Sequence, residues 1–226
     1  MENKLIAHLA PSILNANFDD LENEILKISG VSDYLHLDIM DNKFVPNFTF
    51  TLEKAAEIIS FTKIPVDSHL MIEDPDHLAP KYAEAGSESV TFHFEAAQDV
   101  AQTIKDIRSN GSKVGIAIKP KTSLDLVAPF LEELDMLLIM TVEPGFGGQS
   151  FMFDQMSKVE AARKAINANK DKQVLLQVDG GISIDTIGVA AKSGADCFVA
   201  GSAVYKADNP ANMVSKLRDL ANAEFI

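Results

Sequence analysis

Two short segments set an imidazole and a carboxylate two residues apart: His36 and Asp38 in HLDIMD, and Asp67 and His69 in DSHLM. Alternate residues of an extended strand point to one side, so His36, Asp38 and Met40 share a face, as do Asp67, His69 and Met71. Two imidazoles and a carboxylate at neighbouring strand ends make a cation site, and Asp179 in QVDGG is placed to close it from a third segment. Mixed nitrogen and oxygen donors suit Zn, Fe, Mn or Co better than Mg or Ca. A lone strand histidine more often sits hydrogen-bonded in a core, but an H-x-D with a second histidine at an adjacent strand end favours ligation. His93, in FHFEA, is either a support for these ligands or a packing residue, and His8 and His77 read as structural.

Glycines supply a second chemistry. EPGFGGQSF, VDGGIS and VAGSAV carry Gly147, Gly148, Gly180, Gly181 and Gly201. Without side chains, such turns let backbone N–H groups approach an anion, and helix N-termini add a favourable dipole. Three such turns side by side predict a phosphate pocket rather than merely tight connections. Met40, Met71 and Met140 fall near the same strand ends. They are either gap-filling core or a soft, polarizable cap over delocalised negative charge at a reacting centre.

Positioning these groups requires alternating elements. Apolar, β-branched runs predict strands at 5–10, 34–39, 65–70, 89–94, 113–118, 136–142, 174–179 and 197–200. Helical patterns lie between them at about 18–29, 51–61, 76–85, 97–109, 123–133, 152–168, 184–193 and 210–223. Phe18, Leu21, Ile25 and Ile28 form one apolar face, Asn17 is the expected N-cap, and Gly86, Gly111 and Gly194 are expected helix stops. Eight strand–helix pairs imply right-handed crossovers and a parallel sheet. The expected fold class is α/β, a single (β/α)8 TIM barrel over residues 1–226 with its site at the C-terminal strand ends. An open doubly wound sheet would carry a Gly-rich fingerprint after its first strand, where this chain has LAPSIL.

Composition narrows the function. The 226 residues include 20 Lys and Arg against 33 Asp and Glu, a formal net charge of −13. That field repels nucleic acid and anionic membranes, so neither is expected as a partner. The longest apolar run, MLLIM, is far below the roughly 20 residues of a membrane helix. MENKLIAHLAPS has too brief an apolar core for a secretory signal. A lone cysteine, Cys197, makes no intrachain disulfide and suits a cytoplasmic location.

The segments APSILNANF, HLDIMDNKFVPNFTF, DSHLMIEDP, VTFHFEA, TVEPGFGGQSF, VDGGIS and AGSAVY together resemble the ribulose-phosphate 3-epimerase family, in the family's order, from about residue 5 to 205. The resemblance implies a (β/α)8 barrel, one divalent metal per subunit, and interconversion of D-ribulose 5-phosphate and D-xylulose 5-phosphate. It implies His36, Asp38, His69 and Asp179 as metal ligands, with Asp38 and Asp179 as the acid–base pair. By the same resemblance, substrate binding falls to Ser12, His69, Gly145, Phe146, Gly147, Gly148, Asp179, Gly180, Gly181, Gly201 and Ser202, and a homo-oligomer, dimer or larger, is expected. Asp41–Asn42 stands where the family often has Asp-Gly, and Asn tolerates a left-handed turn. Ser68 replaces a common apolar residue and by alternation faces the helices. The alternative within the resemblance is an allulose-6-phosphate 3-epimerase or another ketose-phosphate 3-epimerase; the intact PGFGGQ favours the pentose enzyme. A decarboxylase or Schiff-base aldolase would need a lysine beside these carboxylates, and Lys119 is the one candidate at a strand end. A sugar-phosphate sensor would not need two acidic groups at a metal.

Overall fold

Strands and helices alternate as their sequence periods require, in a computed structural model that describes residues 5–168 and 172–225. The strands are β1 His8–Ala10, β2 Leu35–Met40, β3 Val66–Met71, β4 Ser89–His93, β5 Lys113–Ile118, β6 Met136–Met140, β7 Leu175–Asp179 and β8 Cys197–Val199. All neighbouring strands pair in parallel, in the order β1-β8-β7-β6-β5-β4-β3-β2. A bridge between Ser12 and His36, with the His36 N–H donating to the Pro11 carbonyl at 3.0 Å, brings the two ends together. The result is a (β/α)8 barrel.

The helices are α1 Leu21–Leu26, α2 Leu52–Phe61, α3 Pro75–Glu84, α4 Val100–Ser109, α5 Met156–Ala168, α6 Ile187–Lys192, α7 Ser202–Tyr205 and α8 Pro210–Asn222. Outward strand residues such as Leu35, Leu37, Ile39, Leu137 and Val178 form one core with Ile25, Ile58, Ile104, Val159 and Leu217 from the helices. Inward residues form smaller apolar groups, among them Ala117, Leu138, Met140 and Val142. The large core is therefore the layer between barrel and helices, and the barrel interior is left for polar groups.

Several expectations need correction. The helix at 123–133 is instead two 3-10 stretches, Leu124–Leu126 and Ala128–Glu133. Pro129 has no N–H to donate and disfavours α-geometry at the residue before it, which weakens an α-helix here. The helix at 18–29 opens as a 3-10 turn, Phe18–Asp20, capped as expected by Asn17, whose side chain accepts from the Asp19 N–H. Leu21, Ile25 and Ile28 are buried on the expected face, but Phe18 is exposed and rests against the Phe50 ring. The short helix α7 was not anticipated; four residues are too few to show a helical period. Gly86, Gly111 and Gly194 do take the positive φ of helix stops, and so does Asn42, at φ 59. Ser68 pairs with Ser87 at 2.8 Å, away from the barrel interior.

The barrel's N-terminal end is fastened by Arg218 of α8. Its guanidinium donates to the Ala7 carbonyl at 2.8 Å, the Asp33 carboxylate at 2.7 Å and the Val31 carbonyl at 2.5 Å. Asp33 in turn accepts from the Leu9 N–H. Arg218→Ala is expected to cost about 1.5–3 kcal/mol, the range for hydrogen bonds to a charged group. Urea unfolding measures it, and an unchanged midpoint would mean that water replaces all three bonds.

Candidate active site

Parity and register together assemble the site. Residues 36, 38, 67 and 69 all point inward, and the β2–β3 register sets His36 level with Asp67 and Asp38 level with His69. Asp179, the last residue of β7, approaches from across the barrel. One ligand atom from each of His36, Asp38, His69 and Asp179 lies within 4.8 Å of the others. His69 Nδ1 is 3.2 Å from Asp38 Oδ1 and 3.6 Å from Asp179 Oδ2, while His36 Nε2 is 3.5 Å from Asp38 Oδ1 and 4.0 Å from Asp179 Oδ2. The two histidines thus offer different nitrogens to the centre.

Each outer nitrogen is also held. His36 Nδ1 donates to Asp67 Oδ2 at 2.8 Å, and Asp67 accepts further bonds from Ser89 Oγ and Gln177 Nε2. His69 Nε2 lies 3.0 Å from His93 Nε2, and His93 Nδ1 is 3.2 Å from Glu95 Oε2. His93 therefore stands behind His69 within hydrogen-bond distance, as the first of the two roles open to it in the sequence would require. Asp67 and Glu95 were not foreseen as supports. Asp67 carried a signal, being two residues before His69; Glu95 is equally two residues after His93.

The carboxylates are unequal. Burial pushes the Asp38 carboxyl up, but the His36 and His69 imidazoles beside it hold it well below the carboxylate range. Ser12 Oγ adds a donated bond to Asp38 Oδ2 at 2.5 Å. Asp179 goes the other way: burial and the neighbouring Asp38 charge raise it, to about 6. Burial lowers His36, yet Asp38 and Asp67 overcome it and raise this imidazole above its ordinary value. Burial lowers His93 to about 4, so it is neutral. Two imidazole nitrogens and two carboxylate oxygens converging in a buried place, each imidazole fixed from behind, fit one divalent cation of the transition series.

Above these groups opens a cleft of roughly 520 Å³, including its open mouth. It is lined by Ser12, Asp38, Asp179 and the three methionines, and by Gly145, Phe146, Gly147, Gly148, Gly180, Gly181, Gly201 and Ser202. His36 and His69 are fully buried beneath it. All the residues singled out from the sequence thus meet in one place, and Lys119 lies instead over the Phe44 ring, 3.7 Å from its centroid. Met40, Met71 and Met140 are almost fully buried and line the cleft.

The glycine turns are required by close approach. At Gly181, φ is +68 and a Cβ would lie 2.5 Å from the Phe151 backbone nitrogen. Gly147 and Gly201 both back onto Asn15, whose amide a Cβ at either position would strike. Asn15 is a lining residue that sequence reasoning missed, because nothing in ILNANF marks it as facing two distant turns. The Thr141 hydroxyl donates to the Gly180 carbonyl at 2.7 Å, and Asn47 Nδ2 to the Gly145 carbonyl at 3.0 Å, tying the turns to their neighbours. Helix α7 begins at the Gly201 cap, so its first N–H groups lack partners within the helix.

Fold and site together define an α/β barrel in which two histidines and two carboxylates that could hold one metal ion lie beside glycine turns. Residues 8–205 match the ribulose-phosphate 3 epimerase family. A ribulose-phosphate 3-epimerase of Mycobacterium tuberculosis is 50% identical over 215 residues, 95% of this chain and 93% of that one. The Bacillus subtilis ribulose-phosphate 3-epimerase is 37% identical over 211 residues, 93% of this chain and 97% of its own. The chain belongs to the ribulose-phosphate 3-epimerase family, whose members are isomerases. Among solved structures, 3-hexulose-6-phosphate synthase from Salmonella typhimurium superposes with a TM-score of 0.71 at 18% identity, covering 96% of this chain and 99% of that one. Orotidine 5'-phosphate decarboxylase from Pyrococcus horikoshii gives 0.66 at 14%, covering 94% and 98%. Those two likenesses concern the fold. Among the described residues, no helix is long and apolar enough to cross a membrane.

Proposed function

We propose that this chain interconverts D-ribulose 5-phosphate and D-xylulose 5-phosphate, inverting C3 by proton transfer between Asp38 and Asp179. The observation that carries the reading is the pair of carboxylates, Asp38 and Asp179, meeting at the floor of a cleft rimmed by glycine turns. Inversion at C3 needs a proton removed next to the C2 ketone and another returned to the opposite face. Two carboxyl groups of unequal proton affinity in a single site can exchange the roles of base and acid that this inversion needs.

Asp38, kept anionic by His36, His69 and the Ser12 hydroxyl, takes the C3 proton of one epimer. Asp179, raised by burial and by Asp38, carries the proton that it gives to the other face. In the reverse direction the two exchange roles. His36, Asp38, His69 and Asp179 would hold a divalent cation, which when bound would supply Lewis acidity for negative charge developing on the sugar. Zn, Fe, Mn and Co all suit the donor set. Met40, Met71 and Met140 cover the planar enediolate with groups that donate no proton and keep water away. Ser12 and His69 bound the reacting end, and the turns at Gly145–Gly148, Gly180–Gly181 and Gly201–Ser202 receive the phosphate through their N–H groups. Local N–H groups and the cation offset a long-range repulsion that physiological salt screens beyond about 8 Å. The whole chain, 1–226, is read as one catalytic domain that works in the cytoplasm as a homo-oligomer.

Turnover in deuterated water tests the reaction type: deuterium is expected at C3 of recovered ribulose 5-phosphate, with no carbon–carbon cleavage. Released carbon dioxide or an aldehyde would overturn the epimerase reading. A parallel assay on allulose 6-phosphate sets the sugar length, and faster turnover of that hexose would move the assignment to the six-carbon reaction.

A further inference from the structure

The reaction proposed above uses His36, Asp38, His69 and Asp179, and leaves unexplained a line of buried hydrogen bonds that runs from His69 through His93 to Glu95. We infer that Glu95 is a positioning residue that dictates, through His93, which nitrogen of His69 carries a proton and so which one can bind the cation. The inference rests on the cation site proposed above and concerns groups that do not touch substrate.

The argument follows from what each group can do. Glu95 Oε1 accepts from the Lys119 backbone N–H at 2.7 Å and from the Thr122 hydroxyl. Its Oε2 faces His93 Nδ1 at 3.2 Å. An ionised carboxylate only accepts, so His93 Nδ1 must be the N–H nitrogen. A neutral imidazole has one donor and one acceptor, which leaves His93 Nε2 with the lone pair. His69 Nε2, 3.0 Å away, must then be the donor, which leaves His69 Nδ1 as the nitrogen that can bind a cation at the centre shared with His36, Asp38 and Asp179. The opposite chain of bonds, with His69 Nδ1–H donating to Asp38 Oδ1 at 3.2 Å, fits the same atomic positions. The charge on Glu95 works against it, as does a proton on His36 Nε2, which lies 3.3 Å from His69 Nδ1. His36 needs no relay, because Asp67 accepts directly from its Nδ1.

Glu95→Gln makes the inference sharp, since the side chain keeps its shape. The Lys119 N–H can only donate, so the glutamine must turn its carbonyl oxygen there and its NH2 toward His93. Every bond in the line then reverses: His93 Nδ1 accepts, His93 Nε2–H donates, His69 Nε2 accepts, and the proton moves to His69 Nδ1, where the cation belongs. Two-bond 15N–1H correlation spectra of the metal-free protein are expected to show a proton on His69 Nε2 in the wild type and none there in Glu95→Gln, where only the Nδ1–H form remains. Cobalt titration followed by its visible absorption should show affinity falling by about 10–100-fold, the usual effect of losing such a support. Glu95→Ala, which imposes neither direction, should show both forms of His69 and an intermediate affinity. A role confined to packing would lower thermal stability and leave the tautomer alone. A wild-type Nδ1–H form, or an unchanged His69 form in Glu95→Gln, overturns the inference. A reversed tautomer with wild-type cobalt affinity overturns its link to the ion. If wild-type protein takes up no cobalt, the cation site itself fails, a result distinct from these, and the relay loses its purpose with it.

Discussion

Asp179→Asn and Asp38→Asn are each expected to lower turnover by about 10²–10⁴-fold, the usual contribution of a positioned proton carrier. Asparagine keeps the size of the side chain but can neither take nor return the proton. The two losses should not add, because one missing partner already stops inversion, so the double variant should be little worse than either single one. Isotope exchange separates the roles. Asp179→Asn retains Asp38 and is expected to exchange the C3 hydrogen of one epimer with solvent without converting it to the other; Asp38→Asn should do so only with the opposite epimer. An active double variant would remove the proton-transfer roles from both residues. Full exchange of both epimers in either single variant would point to a different base in the cleft.

Removal of divalent metal is expected to abolish activity, with recovery on adding Zn, Fe, Mn or Co, and with a definite dependence on pH. In the protein's own groups, His36 and Asp179 are raised and therefore favour their protonated forms. The stability each contributes is fully present below its unfolded pKa and lost as pH rises through its folded value. For Asp179 that window runs from the ordinary carboxylate range to about 6; for His36 it begins near the ordinary imidazole value and extends above it. Metal-free protein thus loses this stabilisation as pH climbs, and a cation that takes the protons' place should restore it. The rise in melting temperature on adding metal is expected to grow between pH 5 and about pH 8, and metal affinity to fall roughly tenfold for each proton displaced per pH unit on acidification. Asp38 and Asp67 are lowered, so their opposite contribution falls at more acid pH. Undiminished turnover in metal-free protein would refute the Lewis-acid contribution, and a melting increment that shrinks with pH would refute the proton competition.

The sequence by itself determined the alternation of elements, the residues that face the barrel interior and the chemical types at the strand ends. Period-two and helical patterns are local, so His36, Asp38, His69 and Asp179 were legible without knowing how any two strands align. Elements of only one or two turns were not legible, as α7 and the 3-10 stretches around Pro129 illustrate. Tertiary structure alone decided depth and partnership. Parity says that Asp67 and His69 both point inward, but only the β2–β3 register sets Asp67 behind His36 and His69 beside Asp38. Only the packing of β4 against β3 brings His93 to His69, and only the turn after β5 brings two fixed donors to Glu95. Which nitrogen of each histidine faces the centre follows from those contacts, because an imidazole has two nearly equivalent tautomers until a neighbour of fixed donor or acceptor character chooses between them.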